Sequence, residues 1–443
     1  MRSFVIIWIG QMFSLLGTSM SGFGLTVWAY ELTGSATALA LVAFFFVTPM
    51  LIFSPLAGAL VDRSNRKLMM MLSDLAAGVA TFCILLLYST GRLQIWHLYV
   101  ANAFIGTFQT FQWPAFSAVI TTMLPKEQYG RANGMMSLTE TGPEILAPIL
   151  AGALLGVIGL GGILTIDLVT LSIAVVTLLS VHVPQPPVSQ IGLESRGSLW
   201  KESVFGFSYI LKRPGLLGLQ IVFLLGNFFI TIAYTLSAPM ILARTGNNEL
   251  ALGTVNSIGA IGGVVGAAAM SAWGGPKRKV HGVLSGWGLT GLFGTALMGL
   301  GRGIPVWTIS RFAGSFISPF LNGSNQTIWQ SKVAPDVQGK VFSTRRLIAW
   351  LSMPLATLVA GPLADKVMEP AMQPGGSLAP IFGPIVGVGP GAGMSLIILF
   401  MGLIITAIGF SGYAVPTLRN VETLLPDHDQ APSDGQVQIA PAD

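Results

Sequence analysis

Charged residues are scarce in this 443-residue chain, where they make up 9% of the total, against about 25% in a soluble domain. Cysteine occurs once, at Cys83, which excludes an internal disulfide and offers no metal site, so we expect this residue to pack inside an apolar helix. The net charge of +5 gives no indication of nucleic-acid binding. No Gly-x-x-x-x-Gly-Lys-Ser/Thr phosphate loop occurs either. We therefore predict no ATP-driven chemistry and no cofactor, and we predict that the protein is not an enzyme.

Apolar residues, by contrast, make up 52% of the chain. They form twelve runs of about 18 residues or more, each long enough to cross a hydrocarbon core about 30 Å thick. Because every backbone amide in lipid must be paired within its own segment, these runs predict helices rather than open strands. The predicted spans are 4–30, 38–60, 67–88, 97–120, 132–156, 162–181, 216–240, 251–273, 281–300, 305–329, 342–364 and 393–415.

Lysine and arginine are distributed unevenly between the loops that join these spans. If the N-terminus is cytoplasmic, most of them lie on the cytoplasmic side, Arg196 in the central loop included. The opposite side then carries only Arg92, Arg244, Arg302 and Lys366. This asymmetry follows the positive-inside rule and requires an even number of spans. We predict a multi-pass protein of the bacterial inner membrane with both termini in the cytoplasm.

Short motifs recur along the chain at a constant shift of 209 positions. One shift at three separate places favours two homologous six-helix halves, 1–182 and 216–415. Between them, 183–215 predicts a cytoplasmic central loop with an amphipathic helix from Leu199, and 416–443 predicts a disordered cytoplasmic tail. The matches pair Gln11 with Gln220, Gly130-Arg131 with Gly339-Lys340, and Ala151-Gly152 with Ala360-Gly361.

A run of ten residues joins the second and third spans, Gly58-Ala59-Leu60-Val61-Asp62-Arg63-Ser64-Asn65-Arg66-Lys67. It resembles the signature of the major facilitator superfamily, Gly-x-x-x-Asp-Arg-x-Gly-Arg-Lys/Arg. Asn65 replaces the second glycine, and asparagine tolerates left-handed backbone angles. The resemblance implies an all-α membrane protein of twelve transmembrane helices in two six-helix pseudo-repeats. It also implies secondary transport, in which the halves rock about a central substrate site.

The same resemblance implies a gate at the cytoplasmic side. There Asp62 is expected to dock at the start of the eleventh helix, near Arg345 and Arg346, when that side is closed. Gly58 would let the two backbones approach closely. The corresponding stretch of the second half lacks an acid, so we expect the closure to be one-sided. The remaining cations, Arg63, Arg66 and Lys67, are either gating residues or topology anchors for the inner leaflet.

Two further stretches resemble the group that contains macrolide-efflux and enterobactin-export proteins: Gln112-Trp113-Pro114-Ala115-Phe116 and Gly361-Pro362-Leu363-Ala364-Asp365. Exporters of the superfamily commonly carry a Gly-Pro-rich antiporter motif in the fifth helix, with alanine here at two positions where the motif prefers glycine. That run implies export; its alternative role is a helix that is bent for structural reasons. The matching residues are Gly142, Pro143, Ala147, Pro148 and Gly152.

Glu140 and Glu144 lie four residues apart and therefore on one face of the fifth helix, inside the membrane. Two carboxylates on adjacent turns predict proton coupling; their alternative role is to hold the bent helix by hydrogen bonds. Asp74 and Asp167 are further candidates for proton coupling, with structural hydrogen bonding as the alternative. Arg311 is expected to pair with a carboxylate, to face the cavity or to bind an anionic substrate.

In this fold the first, fourth, seventh and tenth helices are expected to line a central cavity. Amide and aromatic side chains there suit an amphiphilic organic substrate, so we predict a monomeric, proton-coupled exporter of a drug-like, macrolide-like or siderophore-like compound. The transport alternatives are a proton-coupled importer and a lysolipid flippase, and the alternative of another class is a membrane receptor or assembly scaffold. The candidate cavity residues are Gln11, Gln109, Gln112, Trp113, Asn227, Arg311, Asn322 and Asn325.

Overall fold

The computed structural model describes residues 1–33, 36–186, 189–194 and 197–429, and regular structure in these ranges is helical. The predicted cytoplasmic cation Arg196 lies outside the described residues. Six long helices form the first half of the chain. They are α1 (Arg2–Thr33), α2 (Ala36–Arg63), α3 (Arg66–Ser89), α4 (Ile95–Met123), α5 (129–158) and α6 (160–180).

The second half repeats this arrangement. A π-helical segment, Thr290–Ala296, interrupts the ninth long helix, and another, Ala364–Met368, continues the eleventh. The six helices are α7 (Pro214–Thr245), α8 (Glu249–Trp273), α9 (Lys279–Leu289, extended to Leu300), α10 (Ile304–Lys332), α11 (Gln338–Leu363) and α12 (Ala392–Ser411).

Twelve helices correspond to the twelve predicted spans. Within the described ranges, nine helical segments are both long and apolar enough to cross a membrane, and one of them contains α5 and α6 together. These two are joined at Gly159, whose φ of 65° and ψ of 179° interrupt the helix. The remaining two, α4 and α10, are long but carry many amide side chains. The prediction of an all-α membrane fold is confirmed.

The outer surface of the bundle is apolar. Val157, Leu250 and Leu358 are exposed by 80%, 80% and 71%, which in a soluble protein would drive aggregation. Such a surface fits the hydrocarbon of a bilayer. Cys83 differs from the prediction, because it is exposed on this surface rather than packed inside. A residue on an amphipathic helix can face lipid or protein, and its sequence position alone does not decide which.

A helix of the central segment, Leu199–Leu211, lies between the halves. Residues 416–429 differ from the predicted disorder, since Pro416–Arg419 and Val421–Leu424 are short helices. Leu418 and Val421 are buried against the core of the second half. Two apolar anchors thus hold a segment whose composition is otherwise polar. Residues 430–443 lie outside the described ranges.

Candidate functional site

Asp62 lies where α2 ends and α11 begins, and we call this end of the bundle the Asp62 end. Its carboxylate accepts hydrogen bonds from the backbone N–H groups of Gly339 and Lys340 at 2.7 and 2.8 Å. These donors belong to the first turn of α11, where unpaired N–H groups and the helix dipole favour an anion. Gly58 faces Gly339 so closely that a Cβ on either residue would collide with the backbone of the other. The contact joins the two halves.

Arg345 and Arg346 do not lie beside Asp62, although the sequence interpretation grouped them with it. The helix α11 begins at Gln338, about one turn earlier than predicted, so both arginines lie in its third turn and point toward the interior. The anchor for Asp62 is therefore the helix N-terminus itself. Asn65 also differs from expectation: its φ is −67°, and its side chain caps the N–H of Leu68 rather than supporting a left-handed turn.

Glu202 completes the Asp62 end, and the sequence interpretation missed it. This central-loop residue has no exposed side-chain surface, and it forms ion pairs with Arg63 at 2.5 Å and with Lys340 at 3.0 Å. It also accepts the N–H of Gly197 at 2.9 Å. Burial by itself raises the pKa of Glu202, but hydrogen bonds from Arg63 and Lys340 outweigh burial and lower the pKa to about 2. Glu202 thus ties the central loop to both halves.

We expect Glu202→Gln to destabilise the protein by about 2 kcal/mol at neutral pH, between the values for exposed and buried ion pairs. Because the pKa of Glu202 is lowered by folding, its contribution is complete above a pH of about 4.5 and is lost as the pH falls toward about 2. Thermal unfolding across this range measures the difference. Glu127→Gln, at an exposed acid of the α4–α5 turn, is the matched control. Equal melting temperatures for the two variants at neutral pH would contradict the assignment.

The other two cations of the signature make contacts with backbone carbonyl groups. The buried Arg66 donates to Ala118 at 3.2 Å and, across the halves, to Pro335. Lys67 donates to the carbonyls of Leu179 and Val181 at 3.0 and 2.8 Å, inside the first half. Arg66 therefore takes part in the contact between the halves, whereas Lys67 holds α3 to the end of α6.

The pseudo-symmetric contact, between α5 and α8, contains no acid at the corresponding position. A shift of 209 positions places Ser271 where the first half has Asp62. At this contact Gly130 packs against Gly274, which has a φ of +83°, and Gly134 packs against Ser271. Backbones approach as closely here as at Gly58, but without a carboxylate at the helix N-terminus.

Two further layers connect the halves near the Asp62 end. Asp427 of the tail forms ion pairs at 2.8 Å with Lys126 of the first half and with Lys332 of the second. Burial by itself raises the pKa of Asp427, but hydrogen bonds from the two lysines outweigh it, so the pKa lies below its usual value. Deeper in the bundle, Gln330 donates to the carbonyl of Ser117 at 3.0 Å and accepts from Asn133 at 2.8 Å.

Two adjoining cavities of about 620 and 580 Å³ lie between the halves, beyond this layer of polar contacts. The first is lined by α4, α5, α7, α10 and α11, and the second by α5, α7, α8, α9, α10 and α12. We expected the helix α1 to line the cavity, but none of its described side chains contributes to either cavity. The residues shared by the two cavities are Ser137, Glu140, Glu144, Asn227 and Asn322.

Glu140 and Glu144 both face this space. Glu140 is exposed to the cavity although it lies deep in the bundle, and it accepts a hydrogen bond from Nε1 of Trp113 at 3.1 Å. Arg346 lines the same cavity and attracts Glu140 electrostatically. Glu144 is also exposed to the cavity, one turn further from the Asp62 end. Two acids and a cation therefore lie at the meeting point of the halves.

Arg345, the residue before Arg346, is buried. Its Nη1 donates to Oε1 of Gln326 at 3.1 Å, and its guanidinium stacks on Trp329 with 4.2 Å to the ring centroid. Its Nε has no hydrogen-bond partner. Arg311 lines the second cavity, where it stacks on Tyr234 at 4.4 Å.

Several predicted site residues lie elsewhere. Gln11 and Gln112 donate to the carboxylate of Asp74 at 2.8 and 3.3 Å, and Gln112 also donates to Gln11 at 2.6 Å. This buried cluster holds α1, α3 and α4 together, so the two glutamines do not line either cavity. Gln109 does not line either cavity.

Asp167 is buried and has the structural partners that the alternative interpretation predicted. It accepts hydrogen bonds from Thr18 and Thr81, both at 3.0 Å. Among the remaining candidates, Trp113, Asn227 and Asn322 line the cavities, as does Asn325, whose Oδ1 also accepts from Trp329 at 3.1 Å.

The Gly-Pro-rich run of α5 is helical throughout, Pro143 and Pro148 included. Gly142 and Ala147 are buried, and Gly142 faces the methyl group of Met12 on α1. Gly152 faces open space. The run therefore packs one face of α5 on α1, while Glu140 and Glu144 project from the helix into the cavities.

A membrane bundle of two six-helix halves around a central cavity, closed at one end, has the architecture of a secondary transporter. The family model described as Major Facilitator Superfamily matches residues 7–357. The chain belongs to this superfamily, and it is a multi-pass transporter-family protein rather than an enzyme.

Relatives of this chain include a macrolide-efflux protein and a multidrug-resistance protein. Macrolide efflux protein A of Streptococcus pyogenes is 25% identical over 369 residues, which cover 82% of this chain and 90% of that protein. Multidrug resistance protein MdtG of Escherichia fergusonii is 30% identical over 195 residues, 43% of this chain and 46% of that protein. These findings confirm the resemblance to macrolide-efflux proteins.

Solved structures show the same fold. A bacterial homologue of the iron transporter ferroportin, crystallised in an outward-facing state, matches with a TM-score of 0.65 at 13% identity. The match covers 93% of this chain and 99% of that one. At this identity the likeness concerns the fold alone.

Proposed function

We propose that this protein exports a lipophilic or amphiphilic small molecule from a bacterial cell by alternating access, in exchange for protons. It acts as a monomer in the inner membrane with both termini in the cytoplasm. The observation that carries the proposal is the position of Glu140 and Glu144. Both acids face the cavity between the halves, where a proton and a substrate reach the same space.

The lining of the cavity supports an amphiphilic substrate. Trp113, Phe223 and Trp350 supply apolar and aromatic surface, while Asn227 and Asn322 supply amide groups that both donate and accept. Binding sites for organic molecules combine a mostly apolar wall with a few polar groups, in cavities of about 300–1,000 Å³. The macrolide and multidrug relatives are consistent with this substrate class.

Proton coupling follows from competition in the cavity. With Glu140 ionised, Trp113 donates a hydrogen bond to its carboxylate, Arg346 attracts it electrostatically, and Glu144 offers a second negative charge. Protonation removes these charges and changes the affinity of the cavity for its substrate. If proton and substrate favour opposite orientations of the halves, the inward proton gradient drives the substrate outward.

Closure at the Asp62 end provides one of the two orientations. Asp62 and Glu202 connect the halves only while α2, α11 and the central loop are together. The predicted topology makes this end cytoplasmic, so the conformation described here is closed to the cytoplasm. Separation of these contacts would open the cavity for loading from inside the cell.

Purified protein in liposomes tests the proposal directly. An amphiphilic compound should accumulate when the lumen is more acidic than the outside, because protons that leave the lumen then drive the compound in, whichever way the protein is inserted. Accumulation driven by an acidic exterior would instead indicate a proton-coupled importer. Transport that does not depend on the pH gradient would indicate a flippase. Binding without transport would indicate a receptor or scaffold.

A further inference from the structure

We propose that Arg345 binds an anionic group of the transported molecule, so that the preferred substrates are amphiphilic acids. This inference rests on the proposed function, since it names the chemical class that the central cavity accepts. The class comprises organic molecules with a carboxylate, sulfonate or phosphate group attached to a large apolar body.

The first argument is that Arg345 has no acidic partner. The ion pairs among the described residues do not include it, and its only hydrogen bond to a side chain is to the neutral amide of Gln326. The side chain is 9% exposed and its Nε is unbonded. A buried cation of this kind is costly unless an anion compensates it.

The second argument is that Arg345 is within reach of a ligand. It lines the 620 Å³ cavity next to the amide residues Asn325 and Gln326. Trp329 lies under the guanidinium at 4.2 Å and holds its plane in place. A planar guanidinium suits the oxygen atoms of a carboxylate or phosphate.

The neighbouring Arg346 shows why Arg345 is the anion site. Arg346 lies between Trp113 and Trp350, with 5.1 and 4.7 Å to their ring centroids, and it is attracted by Glu140. An anion on Arg346 would have to compete with that carboxylate. An anion on Arg345 leaves Glu140 and Arg346 together, and the aromatic rings beside them are placed to receive the apolar body of the substrate.

Equilibrium binding with matched probes tests this site. Naphthylbutanoate and its uncharged amide, naphthylbutanamide, differ only in the charged group. Titration calorimetry in phosphatidylcholine nanodiscs should give a Kd about tenfold lower for the acid than for the amide. In Arg345→Gln the two Kd values should agree within about twofold, with that of the amide unchanged. Arg345→Lys should restore part of the preference, and Arg92→Gln, at an exposed loop cation, should keep all of it.

Three results would overturn the site. In the first, the wild type binds both probes with equal affinity. In the second, an Arg345→Gln protein that melts normally loses the same affinity for both probes. In the third, the wild type does not bind the acid. Anionic lipid is a second source of the same chemistry. If phosphatidylglycerol in the nanodiscs weakens acid binding by about tenfold, the site belongs to lipid headgroups and the substrate assignment fails. The binding measurement uses no pH gradient, so its result does not depend on whether export is coupled to protons.

Discussion

Replacing Asp62 with asparagine is expected to open the Asp62 end of the bundle and to slow transport by about tenfold or more. The carboxylate accepts two backbone hydrogen bonds, at 2.7 and 2.8 Å, that exist only while α2 and α11 are in contact. Asparagine turns an NH₂ group toward one of these N–H donors and removes the negative charge from the helix N-terminus. Hydrogen bonds to charged groups contribute about 1.5–3 kcal/mol each. Their loss is large enough to shift a two-state equilibrium between orientations.

A single cysteine reports the opening. Ser343 is buried beside Gly58 in the closed contact, and Ser343→Cys changes its size little. The exposed Cys83 is first replaced by serine. When Asp62→Asn is combined with Ser343→Cys, the thiol at position 343 should react about tenfold faster with an impermeant maleimide added from the Asp62 side.

Two controls separate closure from general damage. Asp365→Asn removes an exposed acid elsewhere, and Ser271→Ala changes the pseudo-symmetric position. Both should leave the reaction rate unchanged. The role of this contact would be contradicted if the Asp62→Asn protein transports normally and its thiol at position 343 reacts as slowly as in the parent protein.

Replacing Glu140 with glutamine is expected to abolish accumulation driven by a pH gradient while the protein still folds. Glutamine has the shape of glutamate and keeps an oxygen for the Nε1–H of Trp113, but it cannot take up or release a proton. Arg346 loses the acid that attracts it. We expect gradient-driven uptake to fall by about a hundredfold, with exchange of substrate for substrate retained.

Glu144→Gln on the same helix shows whether the acids act as a pair. Coupled acids titrate together, so we expect this variant also to lose gradient-driven uptake, whereas Asp167→Asn should act through stability instead. Uptake by a Glu140→Gln, Glu144→Gln double variant that still follows the pH gradient would show that coupling resides elsewhere. Thermal unfolding of each variant excludes simple misfolding.

Features that depend on hydropathy and on local sequence were predictable. The spans follow from apolar length. The resemblance to the superfamily implied the contact between Asp62 and α11, because a carboxylate at a helix end does not by itself select one partner helix. The position of Arg345 and Arg346 was wrong because α11 begins at Gln338 rather than near Val341. At 3.6 residues per turn, that shift moves both side chains from the helix end to the cavity.

Helix rotation explains the misplaced glutamines. Gln11 and Gln112 lie on helices that were expected to line the cavity, yet both bind Asp74 inside the first half. The polar residues of α1 and α4 are not gathered on one face of either helix, so the sequence does not fix which way each amide points. The prediction that α1 lines the cavity failed for the same reason.

Glu202 and Asp427 were missed because both lie on segments that fold back onto the bundle. Their composition is that of solvated loops, and nothing local records that Lys340 and Lys332 lie opposite them. Charge complementarity over such sequence distances becomes visible only in the folded chain.

Reciprocal proton flow tests the central claim of coupling most directly. Proteoliposomes are loaded with a transported amphiphile and a pH-sensitive dye, then diluted into substrate-free buffer at the same pH. Because an exchanger couples the two flows in either direction, substrate efflux should draw protons in and acidify the lumen, and the Glu140→Gln, Glu144→Gln variant should give no pH change. Efflux from the wild type without a pH change, or with an alkaline lumen, would contradict proton-coupled export.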